Sequence, residues 1–162
     1  LERFGKLWAV VTQNVDGLHQ AAGQSEVVEF HGSGRRLACL SCRTTIPAEE
    51  ADPAHRPPAC ATCGSILKPD VVLFGEMIPY PALRRSRELV DQAGFVLVVG
   101  TSALVHPASE LPYRAHEAGA AVIEVNIEPT PLTGRIADVS IHGPAGEVLP
   151  ALVDLVVNPP SG

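Results

Sequence analysis

The residues with the clearest chemical pattern are four cysteines, which are all the cysteines in the 162-residue sequence. They form two C-x2-C pairs, Cys39 with Cys42 and Cys60 with Cys63, and seventeen residues separate the pairs. Four thiolates at this spacing can surround one tetrahedral zinc ion and leave no open position for water. We therefore predict a structural zinc site, and the catalytic chemistry must be sought elsewhere.

Two disulfide bonds are the alternative interpretation of the same four thiols. This alternative is less favoured, because disulfide-rich scaffolds are usually much shorter secreted chains. Residues 33–67, which contain the cysteines, are rich in proline and have no long apolar run. Such a segment cannot build a core of its own, so a bound metal would explain how it folds. Reduced, metal-bound thiols also favour a cytoplasmic location.

His31 has the most suggestive setting of the six histidines, between Phe30 and Gly32 at the start of the predicted zinc insert. A neutral imidazole can accept a proton near pH 7, which makes His31 a candidate general base. From residue type alone, a surface or structural role stays open for it. The other histidines are weaker candidates, although the one between the cysteine pairs could replace a zinc ligand: His19, His55, His106, His116 and His142.

Three apolar runs rich in β-branched residues predict the elements that position these groups. They cover residues 7–11, 95–99 and 121–125, and runs that are apolar on both faces are typical of buried parallel strands. Apolar residues at intervals of three and four predict helices at 82–93, 107–118 and 146–156. Alternating strands and helices predict an α/β fold with a parallel, doubly wound sheet, into which the zinc module is inserted.

Polar or small residues follow each predicted strand, where an open parallel sheet binds its ligands. Their hydroxyl, amide and carboxylate groups suit a ribose or a phosphate, so together they favour a nucleotide site. Singly, Asn14 or Ser102 could instead cap a helix, and Asn126 could be a turn residue. The residues are Thr12, Gln13, Asn14 and Asp16 after the first strand, Gly100, Thr101 and Ser102 after the second, and Asn126 after the third.

Composition excludes some classes of function. The formal net charge of −6 argues against a protein that binds nucleic acid directly, since such a protein normally presents a basic face. No apolar run approaches the roughly 20 residues that cross a bilayer, so we expect no membrane partner. The 46% hydrophobic content is that of an ordinary soluble protein.

An ordered series of motifs runs through most of the chain. The motifs are TQNVDGLHQAAG at 12–23, EFHG at 29–32, the two C-x2-C pairs, KPDVVLFGE at 68–76, GTSALVHPA at 100–108 and VIEVNIEPT at 122–130. This ordered set is far more diagnostic than any one motif, and from about Trp8 to Val156 it resembles the sirtuin (Sir2) family of NAD-dependent protein deacylases.

The resemblance implies a Rossmann-like parallel sheet with helices on both faces and a small inserted zinc-ribbon-like module. It divides the chain into a discontinuous NAD-binding domain (residues 1–32 and 68–158), a zinc module (residues 33–67) and a tail (residues 159–162) that we expect to fray. In this family the cleft between the two domains binds NAD and an acylated lysine. Nicotinamide leaves, the ribose captures the acyl oxygen, and a histidine acts as base on a ribose hydroxyl.

Carried over by motif, the resemblance implies a role for each candidate residue. His31 is the base, and the partners are acylated-lysine proteins or peptides. Gln13, Asn14 and Asp16 line the nicotinamide-ribose pocket, while Gly100, Thr101, Ser102 and Asn126 hold the adenosine end. Val72, Phe74, Gly75 and Val105 receive the acyl-lysine, and Cys39, Cys42, Cys60 and Cys63 bind structural zinc.

The sequence departs from the family at its beginning. It opens on Leu1, and the family's first strand, glycine-rich turn and flexible cofactor loop have no counterpart in it. We therefore assign the deacylase function to the intact protein and expect the isolated 162 residues to be weak or inactive. A non-catalytic, zinc-stabilised module that binds acyl-peptides and a mono-ADP-ribosyltransferase are the alternative functions.

Overall fold

The computed structural model describes residues 1–52, 54 and 56–159. The predictions that His55 could replace a zinc ligand and that the tail frays fall wholly or mainly outside these residues. Two single-turn helices lie at Glu2–Phe4 and Ala48–Glu50. In chain order the main elements are β1 (Val10–Thr12), α1 (Leu18–Ala21), β2 (Val27–Glu29), β3 (Gly32–Cys39), β4 (Thr45–Pro47), β5 (Leu67–Val71), α2 (Tyr80–Asp91), β6 (Phe95–Val99), α3 (Glu110–Glu117), β7 (Ala121–Asn126), β8 (Val139–His142) and α4 (Ala145–Val157).

The chain divides into two compact units. The first comprises residues 1–8 and 84–162, and the second comprises residues 9–83, so the division falls within α2. The second unit contains the predicted zinc module together with β1 and β2. The predicted domain boundaries at 32/33 and 67/68 stay a prediction.

A parallel sheet in the order β6-β7-β8 forms the centre of the first unit. Its core includes Val98 and Val122, which pack with Ala103 and Leu132. The predicted strands at 95–99 and 121–125 are confirmed, because β-branched side chains fit the pleated, buried surface of such a sheet. β8 was not predicted, because its four residues are too short an alternation to stand out and none of them is fully buried.

The three long helices occur where periodicity predicts them, with shifted ends. The greatest shift is in α3, which begins at Glu110 rather than at residue 107. Ahead of it the amides of Glu110 and Leu111 donate to the carbonyls three residues earlier, at 3.1 and 3.2 Å. This turn is tighter than an α-helix, so the apolar spacing continues into residues that are not α-helical.

The second unit holds a parallel pair, β1 with β2, and an antiparallel sheet in the order β4-β3-β5. The predicted strand at residues 7–11 is wrong in its position, because the strand is Val10–Thr12. β1 is as long as its partner strand β2, since Val10 pairs with Val27 and Thr12 pairs with Glu29. The antiparallel sheet was not predicted, because its strands lack a regular apolar alternation.

The predicted fold class is confirmed: parallel sheets accompanied by helices, and a separate small sheet that carries cysteines. None of the helices that the structure describes combines the length and the apolar character needed to cross a bilayer.

Candidate functional site

The four cysteine sulfurs form a cluster in the second unit. The Sγ atoms of Cys39 and Cys63 are 3.4 Å apart, those of Cys42 and Cys60 are 3.6 Å apart, and all four lie within 4.8 Å of one another. Zinc bound tetrahedrally at about 2.3 Å from each sulfur separates the sulfurs by about 3.8 Å. A disulfide bond would need about 2.05 Å, and all four thiols are free. The geometry therefore fits a structural zinc ion and not the disulfide alternative.

Local backbone structure presents these sulfurs to one centre. The amides of Ser41 and Cys42 both donate to Cys39 Sγ at 3.4 Å. The turns after each pair reach positive φ at Arg43 (64°) and Gly64 (74°). Cys39 and Cys60 are buried against Leu67, which anchors the cluster to β5.

The thiols also influence one another electrostatically. The backbone N–H of Ser65 lowers the pKa of Cys63, but the neighbouring thiols raise it to about 11. Hydrogen bonding to Thr44 lowers the pKa of Cys42 to about 6. A bound divalent cation stabilises the thiolate form of each cysteine that ligates it. Zinc would therefore allow all four cysteines to be thiolates at once.

His31 follows β2 and is half-buried. Its Nδ1 lies 3.3 Å from the carbonyl oxygen of Gln13, a long hydrogen bond. A carbonyl oxygen only accepts, so Nδ1 is the donor in this contact, and in the neutral ring the lone pair is then on Nε2. The His31 ring meets the buried Phe30 edge to face, with 5.5 Å between ring centroids. Phe30 thus anchors an imidazole whose other nitrogen can act as a base.

Residues 13–17, the loop after β1, carry three of the predicted nucleotide-binding residues. Asn14 and Asp16 are exposed and Gln13 is half-buried. Asp16 Oδ1 accepts a hydrogen bond from the amide of Leu18, which begins α1. Asn14 does not cap this helix, because Gly17 occupies the capping position. The cap interpretation of Asn14 is therefore wrong.

The loop of residues 72–76 follows β5, an edge strand of its sheet. The amide of Val72 donates to the carbonyl oxygen of His31 at 2.9 Å, which joins this loop directly to the candidate base. Phe74 is fully exposed, and Gly75 has a φ of 87°. An exposed aromatic side chain beside a free strand edge suits the binding of an extended peptide.

An ion pair that sequence reasoning missed closes the 72–76 loop. Lys68 Nζ bonds to Glu76 Oε2 at 3.0 Å and to the carbonyl oxygen of Val71 at 3.0 Å. Glu76 also accepts from the amide of Leu73, and this bond, followed by Lys68, holds the pKa of Glu76 below its ordinary value. The first and last residues of KPDVVLFGE were the only signal for this contact.

The remaining candidates lie in the first unit, at the carboxyl ends of β6 and β7. Val99 pairs with Val125, so Gly100 and Asn126 follow at the same edge of the sheet. Asn126 Nδ2 donates to the carbonyl oxygens of Thr101 at 3.3 Å and of Glu128 at 3.0 Å. The structure thus brings Asn126 together with Thr101. Asn126 is itself the last residue of β7, so the turn role that the sequence left open for it is not confirmed.

Two positive φ angles mark the same edge, and the one at Ala103 is strained. Gly100 and Ala103 have φ of 60° and 51°, a region that a residue with a Cβ rarely adopts. Ser102, between them, is exposed and does not cap α3, whose capping residue is Ser109. The cap interpretation of Ser102 is wrong. Val105 is exposed, and its carbonyl accepts from the amide of Ser109.

The sequence analysis missed two further groups of polar residues. In the second unit, Arg36 bonds to the carboxylates of Glu29 and Asp70. In the first unit, Glu124 is 1% exposed and accepts hydrogen bonds from three hydroxyl groups. Arginine and glutamate are usually surface residues, so their types gave no signal. Glu124 could have been noticed as a charge within an apolar run.

Comparison with known proteins places this geometry in a family. A model of the Sir2 family matches residues 1–107. NAD-dependent protein deacylase 2 of Pyrobaculum aerophilum is 51% identical over 160 residues, which cover 96% of this chain and 62% of that protein. The chain therefore spans less than two thirds of the length of this curated relative.

Solved structures of Sir2 proteins are also similar to this chain. A crystal structure of a Sir2 homolog–NAD complex superposes with a TM-score of 0.92 at 46% identity, covering 97% of this chain and 61% of that one. The structure of Sir2Af2 bound to a myristoylated histone peptide gives a TM-score of 0.83 at 46% identity, covering 96% of this chain and 67% of that one. With a family match over most of its residues and relatives this similar, the chain belongs to the Sir2 family.

Proposed function

We propose that the protein is an NAD-dependent deacylase that removes acyl groups, such as acetyl, from lysine side chains of proteins, releasing nicotinamide and O-acyl-ADP-ribose. The relative from Pyrobaculum aerophilum bears the name of this activity, and the chain belongs to its family. The observation that carries the proposal is the junction of His31 with Gln13 and Val72. There the imidazole of His31 is oriented by the Gln13 carbonyl, and the backbone carbonyl of His31 accepts from the first residue of a loop suited to a peptide.

His31 acts as the general base. The bond from Nδ1 to the Gln13 carbonyl keeps the proton on that nitrogen, so Nε2 takes the proton of a hydroxyl group. The half-buried ring sits against Phe30, which limits its rotation. A base held in one orientation loses less entropy on reaching the transition state than a mobile one.

The 72–76 loop binds the acylated peptide. The edge of β5 can pair with an extended backbone, while Val72, Phe74 and Gly75 receive the acyl-lysine. The Lys68–Glu76 ion pair links the last residue of the loop to β5. Val105 is the remaining residue that its motif assigns to the acyl-lysine. This mode accepts any exposed lysine-bearing segment, so protein or peptide substrates with acyl-lysine are the partners.

The residues that we assign to NAD by motif form two groups. Gln13, Asn14 and Asp16 contact the nicotinamide ribose, and exposed or half-buried amide and carboxylate groups suit its hydroxyls. The adenosine end binds to the β6–β7 edge, where positive φ at Gly100 allows close backbone approach. Thr101, Ser102 and Asn126 complete that end. When bound, NAD supplies an activated glycosidic bond and the ribose hydroxyls that accept the acyl group.

Zinc has a structural role, because the four cysteines would leave it no position for a substrate. Thiols kept reduced for a metal suit the cytoplasm, where we place the protein. With a net charge of −6, the protein has no evident means of binding nucleic acid directly.

The decisive experiment measures nicotinamide release and peptide deacylation with NAD and an acetyl-lysine peptide, on protein expressed from its complete reading frame. We expect His31→Ala to reduce deacylation by about 100-fold or more, the usual contribution of a general base. His116→Ala is the matched control, because His116 is an exposed histidine on α3.

Each other outcome identifies a different function. Unchanged turnover in His31→Ala would remove His31 from the mechanism. Label transferred from NAD to a target protein would indicate mono-ADP-ribosyl transfer. Peptide binding without nicotinamide release would indicate a non-catalytic binding module.

A further inference from the structure

We propose that Arg36 is a positioning residue, which holds the segment bearing His31 and the 72–76 loop in their working register. The inference rests on the proposed function, since it concerns the base and the peptide-binding loop of that reaction. Arg36 lies on β3, between the two segments in sequence, and it is not one of the residues expected to touch substrate or NAD.

The first observation is a double ion pair. Arg36 Nη1 donates to Glu29 Oε2 at 2.7 Å, and Arg36 Nε donates to Asp70 Oδ2 at 3.1 Å. Glu29 is two residues before His31, and Asp70 is two residues before Val72. One guanidinium group therefore joins the strand that leads to the base with the strand that leads to the peptide loop.

The second observation explains why a side chain is needed there. The pairing of β3 with β5 is interrupted, because Ser33 pairs with Asp70 but the next pair is Leu37 with Pro69. Proline has no N–H to donate, so the ladder is weak at this point. Arg36 lies within the interruption. Ser33 and Leu37 pair with consecutive residues of β5, so residues 34–36 bulge out of β3, and the Arg36 side chain returns from this bulge to Asp70.

The third observation extends the network to α1. Glu29 Oε1 accepts a hydrogen bond from Gln20 Nε2 at 2.9 Å. In the same interruption, the amide of Gly34 donates to the carbonyl oxygen of Val15 at 2.8 Å. The segment around Arg36 is thus tied to the loop after β1 as well as to the base and the peptide loop.

Electrostatics agree with this geometry. Burial lowers the pKa of Arg36, but the two carboxylates raise it above its ordinary value. The side chain is 42% exposed, against 16% for Glu29 and 35% for Asp70. Partly exposed pairs contribute little to folding, so a melting temperature alone would not reveal the role.

The test compares Arg36→Met, which keeps much of the apolar stem, with Arg114→Met as a matched control. Arg114 is also held by a carboxylate, at 2.5 and 2.7 Å from Asp91, and takes no part in the proposed mechanism. The first readout is hydrogen exchange at the amide of Val72, with the amide of Gly100 as internal reference. We expect exchange at Val72 to rise about 10-fold in Arg36→Met and less than about 2-fold in Arg114→Met.

The second readout is steady-state kinetics on protein from the complete reading frame. We expect Arg36→Met to lower kcat/KM for the acyl-peptide about 10-fold, a loss typical of small misplacement of reacting groups. The KM for NAD should stay within about 2-fold. Asp70→Asn should have a smaller effect in the Arg36→Met background than in wild type, because both changes break the same contact.

The outcomes separate the two proposals. Unchanged exchange at Val72 would overturn the positioning role whatever the activity. An active wild type whose kcat/KM is equally affected by Arg36→Met and Arg114→Met would also overturn it. A wild type that deacylates nothing would refute the proposed function, and the exchange result would then decide the positioning role alone.

Discussion

Single residues in this protein take their roles from partners that are distant in sequence. Glu124 lies in the middle of β7, where its carboxylate accepts hydrogen bonds from Thr130, Thr133 and Ser140. Thr130 Oγ1 in turn accepts from the amide of Leu132, a core residue. A buried charge with three donors is stable, whereas the same charge without them would be very costly. Glu124 therefore holds the segment that follows Asn126.

The first prediction concerns Glu124 and pH. Burial raises the pKa of Glu124, but the hydroxyl hydrogen bonds, with a smaller contribution from His142, hold it below its ordinary value. A lowered pKa means that this stabilisation is present above the unfolded pKa of about 4.3 and is lost as pH falls through the folded value. We expect Glu124→Gln to lower the free energy of unfolding by about 1–3 kcal/mol at pH 7.

Denaturant unfolding between pH 7 and pH 3 checks this prediction. The difference between wild type and Glu124→Gln should shrink as the pH falls. Glu128→Gln is the control, because Glu128 is exposed, and it should change stability by less than about 0.5 kcal/mol. If Glu124→Gln lowered the free energy of unfolding by the same amount at every pH, the lowered pKa assigned to Glu124 would be contradicted.

At the scale of elements, the contact between β3 and β5 depends on a glycine. Gly32 has a φ of 79°, and a Cβ placed there would lie 2.1 Å from the carbonyl oxygen of Asp70. The close approach lets Gly32 pair with Val71, directly beside the bond between Val72 and His31. The glycine in EFHG is therefore needed for the geometry of the base, not only for a turn.

The second prediction is that Gly32→Ala separates β5 from β3. It should destabilise the protein by about 3 kcal/mol or more, since it adds a backbone clash to the cost of about 1 kcal/mol for a positive φ. Gly23→Ala is the matched control, because its φ is 90° but nothing lies within 4 Å of the added Cβ. Thermal or denaturant unfolding of both variants measures the difference. Equal losses would show that only backbone conformation matters at Gly32.

At the scale of the whole molecule, the two compact units differ in what stabilises them. The first has an apolar core around Val98 and Val122 on a parallel sheet. In the second, the cluster around Cys39, Cys60 and Leu67 forms part of the core. The second unit should therefore depend on metal far more than the first does.

The third prediction follows from that difference. The protein should contain one zinc ion per chain, and a strong chelator should increase amide exchange across residues 9–83 much more than at Val98 and Val122. Cys60→Ser should have the same effect as the chelator. Ser41→Ala should not, because Ser41 is an exposed residue that lies between Cys39 and Cys42. Exchange followed by mass spectrometry tests this. A metal-free protein that stays folded with free thiols would contradict the zinc assignment.

The fold was predictable where the signal was local. The strands at 95–99 and 121–125 follow from continuous β-branched runs, and the cysteine spacing predicted the metal cluster. The first strand was predicted at residues 7–11 but lies at Val10–Thr12. Its ends depend on its pairing with β2, which no local run of residues encodes. The antiparallel sheet of the second unit went unseen for the same reason.

By itself, the sequence determined the donor set for zinc, the polar residues at or just after the end of each strand and the motif series of the family, because residue type and short spacing are local properties. Only the tertiary structure decided which partner each group has. The proton on His31 Nδ1 depends on Gln13, eighteen residues away, and the placement of Arg36 depends on Asp70 across an interrupted strand pair. Such contacts arise from register and chain crossing, which link distant positions only once the chain has folded.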